Sequence, residues 1–152
     1  MLTIFVDADA CPVKDEVFKV AKRVQAKVVL VANQWMRVPR EDWIELVVVK
    51  EAGGLDDADH LIVELARADD IIVTDDIILA SRCLEKGARS LSPRGRIFSP
   101  ENIGEALATR ELMADLREAG AVTGGPAPFE KRDRSNFLQQ LDQLIQQVRR
   151  KK

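Results

Sequence analysis

Leu2-Thr3-Ile4-Phe5-Val6-Asp7-Ala8-Asp9-Ala10-Cys11-Pro12 is the stretch that decides how this chain is read. It opens as a short, continuous apolar run and stops at acid. A continuous apolar run of strand length reads as a strand buried on both faces, the kind that parallel sheets contain. The same figure returns at Ile71-Ile72-Val73-Thr74, which runs into Asp75-Asp76. In parallel sheets ligands bind at the carboxyl ends of the strands. Two carboxylate clusters at two strand ends therefore predict one acidic crevice. Carboxylates gathered there repel one another and stay ionised only beside a partner charge, and the partner expected is a hard cation, Mg²⁺ or Mn²⁺. The sequence thus points to a metal-dependent enzyme acting on phosphate.

Outward from these runs, apolar and amphipathic segments alternate. After the strand at Thr3 to Val6, a helix is expected from near Pro12, with Val13, Val17, Val20, Ala21 and Val24 on one face. Proline suits the first turn of a helix. Lys27 to Ala32 and Trp43 to Val49 read as strands, and Asp56 to Ala68 as a helix capped by Asp56 or Asp57. The strand Ile71 to Thr74 leads to a helix over Asp76 to Lys86, closed by Gly87, and then to a short fifth strand at Ala88 to Leu91. A helix from Ser99 to Gly120, a Gly/Pro linker at Thr123 to Pro128 and a final amphipathic helix, about 134–148, complete the chain. Alternating strands and helices imply an α/β fold with a mostly parallel sheet.

Composition narrows the function. The chain has 152 residues, 46% of them hydrophobic and 32% charged, which predicts one domain over 1–152 with a substantial core. A net charge of −2 excludes a wholly basic nucleic-acid binder, so any such role must rest on local patches. Cys11 and Cys83 do not make a disulfide scaffold. No signal-peptide pattern opens the chain and no apolar stretch is long enough to span a membrane, so a reduced, cytoplasmic setting is expected.

Residues two apart in an extended segment point to the same side, roughly 6–7 Å apart. Asp7 and Asp9 therefore suit one metal ion or two neighbouring ones. A helix cap accounts for Asp9 alone, but poorly for Asp7, which abuts a buried run. In Asp56-Asp57-Ala58-Asp59-His60, Asp56 shares a helical face with Asp59 and His60, so one or two of these acids complete a metal site or simply favour a helix start. His60, the only histidine, is left out as a structural hydrogen-bonding residue. One of Asp75 and Asp76 is expected in the crevice and the other at a cap or in solvent. Cys11 and Cys83 read as small buried residues. Arg94-Gly95-Arg96 and Lys131-Arg132-Asp133-Arg134 are local basic elements, and Phe129 to Lys152 carries seven basic and three acidic residues. Arginine at a helix start suits phosphate contacts. Trp35 fits either base stacking or packing.

Asp7-Ala8-Asp9-Ala10-Cys11-Pro12, Asn33-Gln34, Arg37-Val38-Pro39, Asp56 with Ala58-Asp59, Thr74 with Asp76-Ile77 and Leu79-Ala80, Lys86-Gly87, Pro93-Arg94-Gly95, Thr123-Gly124-Gly125-Pro126 and Arg132-Asp133-Arg134 with Phe137 together resemble the YaiI/YqxD family of uncharacterised bacterial proteins. The resemblance spans almost the whole chain. That family is similar to PIN-like domains, many of which are Mg²⁺- or Mn²⁺-dependent ribonucleases. It implies Asp76 rather than Asp75, and Asp56 and Asp59 rather than Asp57.

The resulting expectation is a PIN-like three-layer sandwich with a five-stranded sheet in the order 3-2-1-4-5. Strands 1 and 4 would bring the catalytic acids Asp7, Asp9 and Asp76 together. Asp56 and Asp59 would join them around Mg²⁺ or Mn²⁺. Arg94, Arg132 and Arg134 would hold the phosphates of an RNA substrate during phosphodiester hydrolysis. Two rivals are a phosphomonoesterase of the haloacid-dehalogenase type, whose Asp-x-Asp matches Asp7-Ala8-Asp9, and a non-catalytic nucleic-acid-binding module. The phosphatase reading lacks a clear partner lysine and meets Cys11 where threonine is usual.

Overall fold

Alternation within each strand sorts the side chains into two cores. The computed structural model describes residues 2–9, 11–49, 57–121 and 127–150. In chain order these form β1 (Thr3–Asp7), α1 (Lys14–Val24), β2 (Lys27–Ala32), β3 (Ile44–Val48), α2 (Asp57–Leu65) and β4 (Ile71–Val73). They continue with α3 (Ile77–Glu85), β5 (Arg89–Leu91), β6 (Ile97–Phe98), α4 (Ile103–Glu118) and α5 (Lys131–Arg150). Ile4, Val6, Val28, Leu30 and Val73 face one way and are covered by Val17, Val20 and Ala21 of α1 and by Phe137, Leu141, Leu144 and Ile145 of α5. Phe5, Val29, Val31 and Ile72 face the other way, against Ala58 and Ile62 of α2 and Leu79 and Cys83 of α3. Helix α4 packs on α3, with Ala80, Phe98 and Ala106 between them.

The sheet has the order β3-β2-β1-β4-β5-β6. Strand β1 is parallel to β2 on one side and to β4 on the other, with Val6 opposite both Leu30 and Val73. The α/β sandwich and the strand order 3-2-1-4-5 are as the sequence predicts. The difference is the sixth strand, which pairs antiparallel with β5 at the edge of the sheet. A two-residue strand is too short to display any period, so no hydrophobic pattern announces it. Helix α5 is also longer than the expected 134–148, starting at Lys131 and reaching Arg150. Of the Gly/Pro linker, 123–126 lies outside the described residues. No described helix is long and apolar enough to cross a membrane.

The β5–β6 turn fixes α5 against the sheet. Gly95 has φ +91°, in the left-handed region that glycine tolerates. A Cβ there would also meet Asn136, at 2.6 Å from its Nδ2 and 2.9 Å from its carbonyl carbon. The same Asn136 Nδ2 donates to the Arg94 carbonyl at 2.8 Å. Gly95→Ala is therefore expected to cost about 1–3 kcal/mol. Urea unfolding of the variant checks this, and a stability equal to that of the parent would refute the close approach of turn and helix.

Candidate active site

After β1 the chain moves outward through β2 and β3, then returns to place β4 on the other side of β1. The carboxyl ends of β1 and β4 thus form the point where strand order reverses, the usual crevice of open α/β sheets. Asp7 is the last residue of β1, and Thr74 follows the last residue of β4. The Thr74 hydroxyl donates to Asp7 Oδ2 at 2.9 Å. The same hydroxyl oxygen accepts from the Asp76 N–H at 3.0 Å. Asp76 caps α3, its Oδ1 accepting from the N–H groups of Ile78 (2.9 Å) and Leu79 (3.2 Å). Asp9 Oδ2 accepts from the Asn33 N–H, just past β2, at 2.9 Å. Asp7, Asp9, Asp75 and Asp76 line one cavity of about 360 Å³ together with Cys11, Thr74 and Pro93.

The electrostatics of this cavity are strained. Burial pushes the Asp7 carboxyl above its ordinary value; the Thr74 hydrogen bond opposes this, and repulsion from Asp76, Asp9 and Asp75 adds to the rise. Burial also raises Asp75, against the pull of Arg94. The Cys11 thiol is pushed up by burial, with a hydrogen bond from the Val13 backbone and the charge of Lys14 acting in opposition. A raised thiol is a poor nucleophile, consistent with Cys11 as a small buried residue.

The donor set suits a hard cation. Asp7, Asp9 and Asp76 each engage one carboxylate oxygen in the bonds above, and the other oxygen accepts no hydrogen bond from the described residues. The carboxylates are not drawn into one tight shell. Among the described residues, no three His, Cys, Asp or Glu side chains stand close enough together to hold a metal ion. That spacing fits an ion bound through one or two carboxylates that keeps several of its waters, as Mg²⁺ commonly does.

The structure brings Asp7, Asp9 and Asp76 together and adds Asp75 to them. Both Asp75 and Asp76 line the cavity, where one was expected, because the chain bends at Asp75 between strand and helix. Asp59 lies on α2 beside Cys83, whose thiol rises to about 11 through burial, with Asp59 contributing a lesser push. It does not line the cavity. Asp56 is outside the described residues. Arg94 donates to Asp133 Oδ2 at 3.0 Å and to the Ala127 carbonyl. Arg134 donates to the Pro12 carbonyl at 2.6 Å and to Glu16 Oε1 at 3.0 Å. The two guanidinium groups lie on the Phe129 ring, 5.5 and 5.0 Å from its centroid. Among the described residues Arg132 pairs only with Glu130, at 2.8 Å, and is 84% exposed. His60 Nδ1 meets Arg82 at 3.2 Å.

Three contributors escaped the sequence reading. The Thr74 side chain and the Asn33 amide hold the acids in place. Lys14 steadies the turn after β1 by donating to the carbonyls of Cys11 (2.9 Å) and Ala8 (3.4 Å). Thr74 and Asn33 stand among the motifs of the family resemblance, but nothing in the sequence marks the hydrogen bonds they make, and Lys14 is marked only as a basic residue in the first turn of a helix that starts beside the acids.

Fold and site define a mostly parallel α/β sandwich with carboxylates lining a cavity at its topological switch point. Within that class the chain belongs to the YaiI/YqxD family: the model described as "Uncharacterized BCR, YaiI/YqxD family" matches residues 5–147. It is 55% identical over 154 residues to a UPF0178 protein of Rhodospirillum centenum, covering 99% of this chain and 99% of that one. It is 52% identical over 150 residues to a UPF0178 protein of Paramagnetospirillum magneticum, covering 99% and 98%. A UPF0178 protein of Brucella ovis is 53% identical over 150 residues, covering 98% and 92%. No solved structure matches it.

The crowding at Asp7 has a measurable consequence. Its folded pKa lies above its unfolded value, so the native state binds more protons between the two. In metal-free protein the Asp7 charge therefore destabilises fully above the folded pKa, and the penalty fades as pH falls from there towards the unfolded value, near 3.8. Asp7→Asn in EDTA is expected to raise the melting temperature at pH 7 by a few degrees, with the gain shrinking as the medium is acidified. A large loss of melting temperature at pH 7 would instead make Asp7 a structural residue.

Proposed function

We propose that the protein is a Mg²⁺- or Mn²⁺-dependent hydrolase of phosphodiester bonds in RNA, with Asp7, Asp9 and Asp76 as its catalytic acids. The observation that carries this reading is the cavity at the switch point of the sheet, which four carboxylates line. The resemblance to PIN-like domains points the same way. Bound there, the cation would activate a water and offset the charge of the phosphate. The chain's own groups supply position. Asp7 is aimed by Thr74, Asp9 by the Asn33 amide, and Asp76 by the first turn of α3. The family resemblance favours Asp56 and Asp59 as further ligands; since Asp59 does not line the cavity, it would reach the ion through a bound water. Arg94, Arg132 and Arg134 belong to the rim, with Arg132 the one able to meet a phosphate without releasing a tertiary contact.

Cleavage of RNA, DNA and a small phosphodiester, with and without Mn²⁺, tests the reading. Metal-dependent hydrolysis is expected, and Asp7→Asn should lose about a hundredfold or more of it. Binding of RNA with no turnover would leave the protein a non-catalytic module. Acid-quenched mass spectrometry after reaction with a phosphomonoester supplies a second check. Direct attack by water leaves Asp7 unmodified, whereas a phosphoryl adduct on Asp7 would replace this reading with the phosphatase one.

The arginines separate by their partners. Arg132→Ala should leave the melting temperature unchanged and reduce the salt slope of RNA binding by about 1. Arg134→Ala should lower the melting temperature, because it releases Pro12 and Glu16. An unchanged salt slope in the Arg132 variant would remove that residue from the phosphate rim.

A further inference from the structure

Residues 33–40 leave β2 at the edge of the acid cavity, where Asp9 holds the Asn33 amide. From there the chain is neither helix nor strand until β3. Met36 and Val38 turn inward and pack against the core under α1 and α5. In an extended segment that anchoring sends the intervening Trp35 and Arg37 outward on one side. Trp35 is 74% exposed, the most exposed large hydrophobic residue among those described. Arg37 and Arg40 are exposed too, and neither guanidinium makes an ion pair or hydrogen bond with the described residues. Together residues 35–40 line an open groove of about 910 Å³, well over twice the volume of the acid cavity.

An exposed tryptophan beside two guanidinium groups with no partner among the described residues suits an occupant with an apolar flat face and negative charge. Single-stranded nucleic acid has both: each base offers a π-face, and each link a phosphate. A protein partner would want a broader apolar patch, yet exposed polar residues bracket the segment in sequence, Asn33 and Gln34 before it and Glu41 and Asp42 after it. The interior of a duplex hides its base faces. The position of the groove matters as much as its chemistry. At most about 7 Å of chain separates Trp35 from Asn33, whose amide is held by Asp9. We propose that Trp35, with Arg37 and Arg40, is a stacking platform that grips an unpaired base of single-stranded RNA or DNA and leads the neighbouring phosphate to the acid cavity. The inference rests on the phosphodiester reading of that cavity for its purpose, but the binding itself does not.

The test measures binding apart from chemistry. Fluorescence anisotropy of labelled 12-nucleotide RNA and DNA strands is read in EDTA, with inorganic polyphosphate, which has no bases, as competitor. Trp35→Ala is expected to weaken both strands by about tenfold or more, while Trp35→Phe retains most of the affinity. Affinity for polyphosphate should be the same in parent and Trp35→Ala. The double variant Arg37→Ala with Arg40→Ala should reduce the salt slope by about 1–2. Because the Trp35 side chain is exposed, melting temperature should not move. The platform is overturned if the parent binds no single strand, if Trp35→Ala binds like the parent, if a duplex binds as tightly as its single strand, or if polyphosphate weakens in parallel with RNA. Hydrolysis of the small phosphodiester distinguishes the two readings. If it persists while Trp35→Ala leaves strand affinity unchanged, only the platform falls. If it is absent while strand binding still depends on Trp35, only the cavity chemistry falls.

Discussion

One buried hydroxyl ties the two strand ends of the site together. Thr74 is 1% exposed, and its Oγ1 both donates to Asp7 and accepts from the Asp76 amide. A carboxylate at the end of a buried strand needs a donor, and the N–H that starts the next helix needs an acceptor. Thr74 answers both with one atom, and its β-branched shape fits the end of β4. Valine would fill the same volume but leave an Asp7 oxygen and the Asp76 amide without their partner. The link also makes the two acids positionally dependent. Asp7 is aimed from β1 and Asp76 from α3, yet both take their reference from the same oxygen.

The rim opposite Asn33 is built by a charged clamp. The guanidinium groups of Arg94 and Arg134 both lie over the Phe129 ring, reaching it from the β5–β6 turn and from α5. Cations on an aromatic face are held by the ring quadrupole. Asp133 Oδ2 then accepts from both Arg94 and the Glu130 N–H, at 3.0 and 2.9 Å, closing the start of α5 onto the turn. Arg134 extends the clamp to Pro12 and Glu16 at the start of α1. Helix α5 is thus fixed at one end by polar contacts beside the cavity and along its length by Phe137, Leu141, Leu144 and Ile145. The docking of the last helix and the shape of the rim depend on the same few residues.

Much of this was legible in the sequence. Runs such as Ile4-Phe5-Val6 and Ile71-Ile72-Val73 are apolar on both faces, which only a central strand tolerates, and so they fixed the class of sheet and its middle strands. Acids directly after such runs marked the crevice for the same reason: nothing else brings charge so close to a buried core. What stayed hidden depends on atoms rather than on pattern. The Thr74 hydroxyl looks like the last residue of a strand, and a backbone amide such as that of Asn33 has no signature at all. Arg94 and Arg134 read as phosphate ligands because guanidinium forks suit phosphate. The same fork suits a carboxylate, a carbonyl and an aromatic face, and only three-dimensional placement tells these partners apart. Strand β6 was invisible because two residues carry no period.

The acid cavity poses an electrostatic problem for any polyanion. The chain is slightly acidic, with a net charge of −2, so its overall field does not draw phosphate in. At physiological salt, charges act over about 8 Å. Whatever compensates the carboxylates must therefore lie within roughly that distance of them. Cations follow the strands on either side of the acids, after β2 on one side and after β5 on the other. Arg37 leaves the cavity on the Asn33 side, where Asp9 is anchored. Arg94 stands on the Pro93 side, near enough to oppose the rise of Asp75. A bound divalent ion would neutralise the centre, but it cannot steer a strand along a direction. Two flanking groups can, since they define a line across the cavity. If the cavity takes a strand as proposed, the side with the exposed indole and the guanidinium groups that have no partner among the described residues would be the entry end, and the side whose arginines are committed to Phe129 and Asp133 the fixed wall.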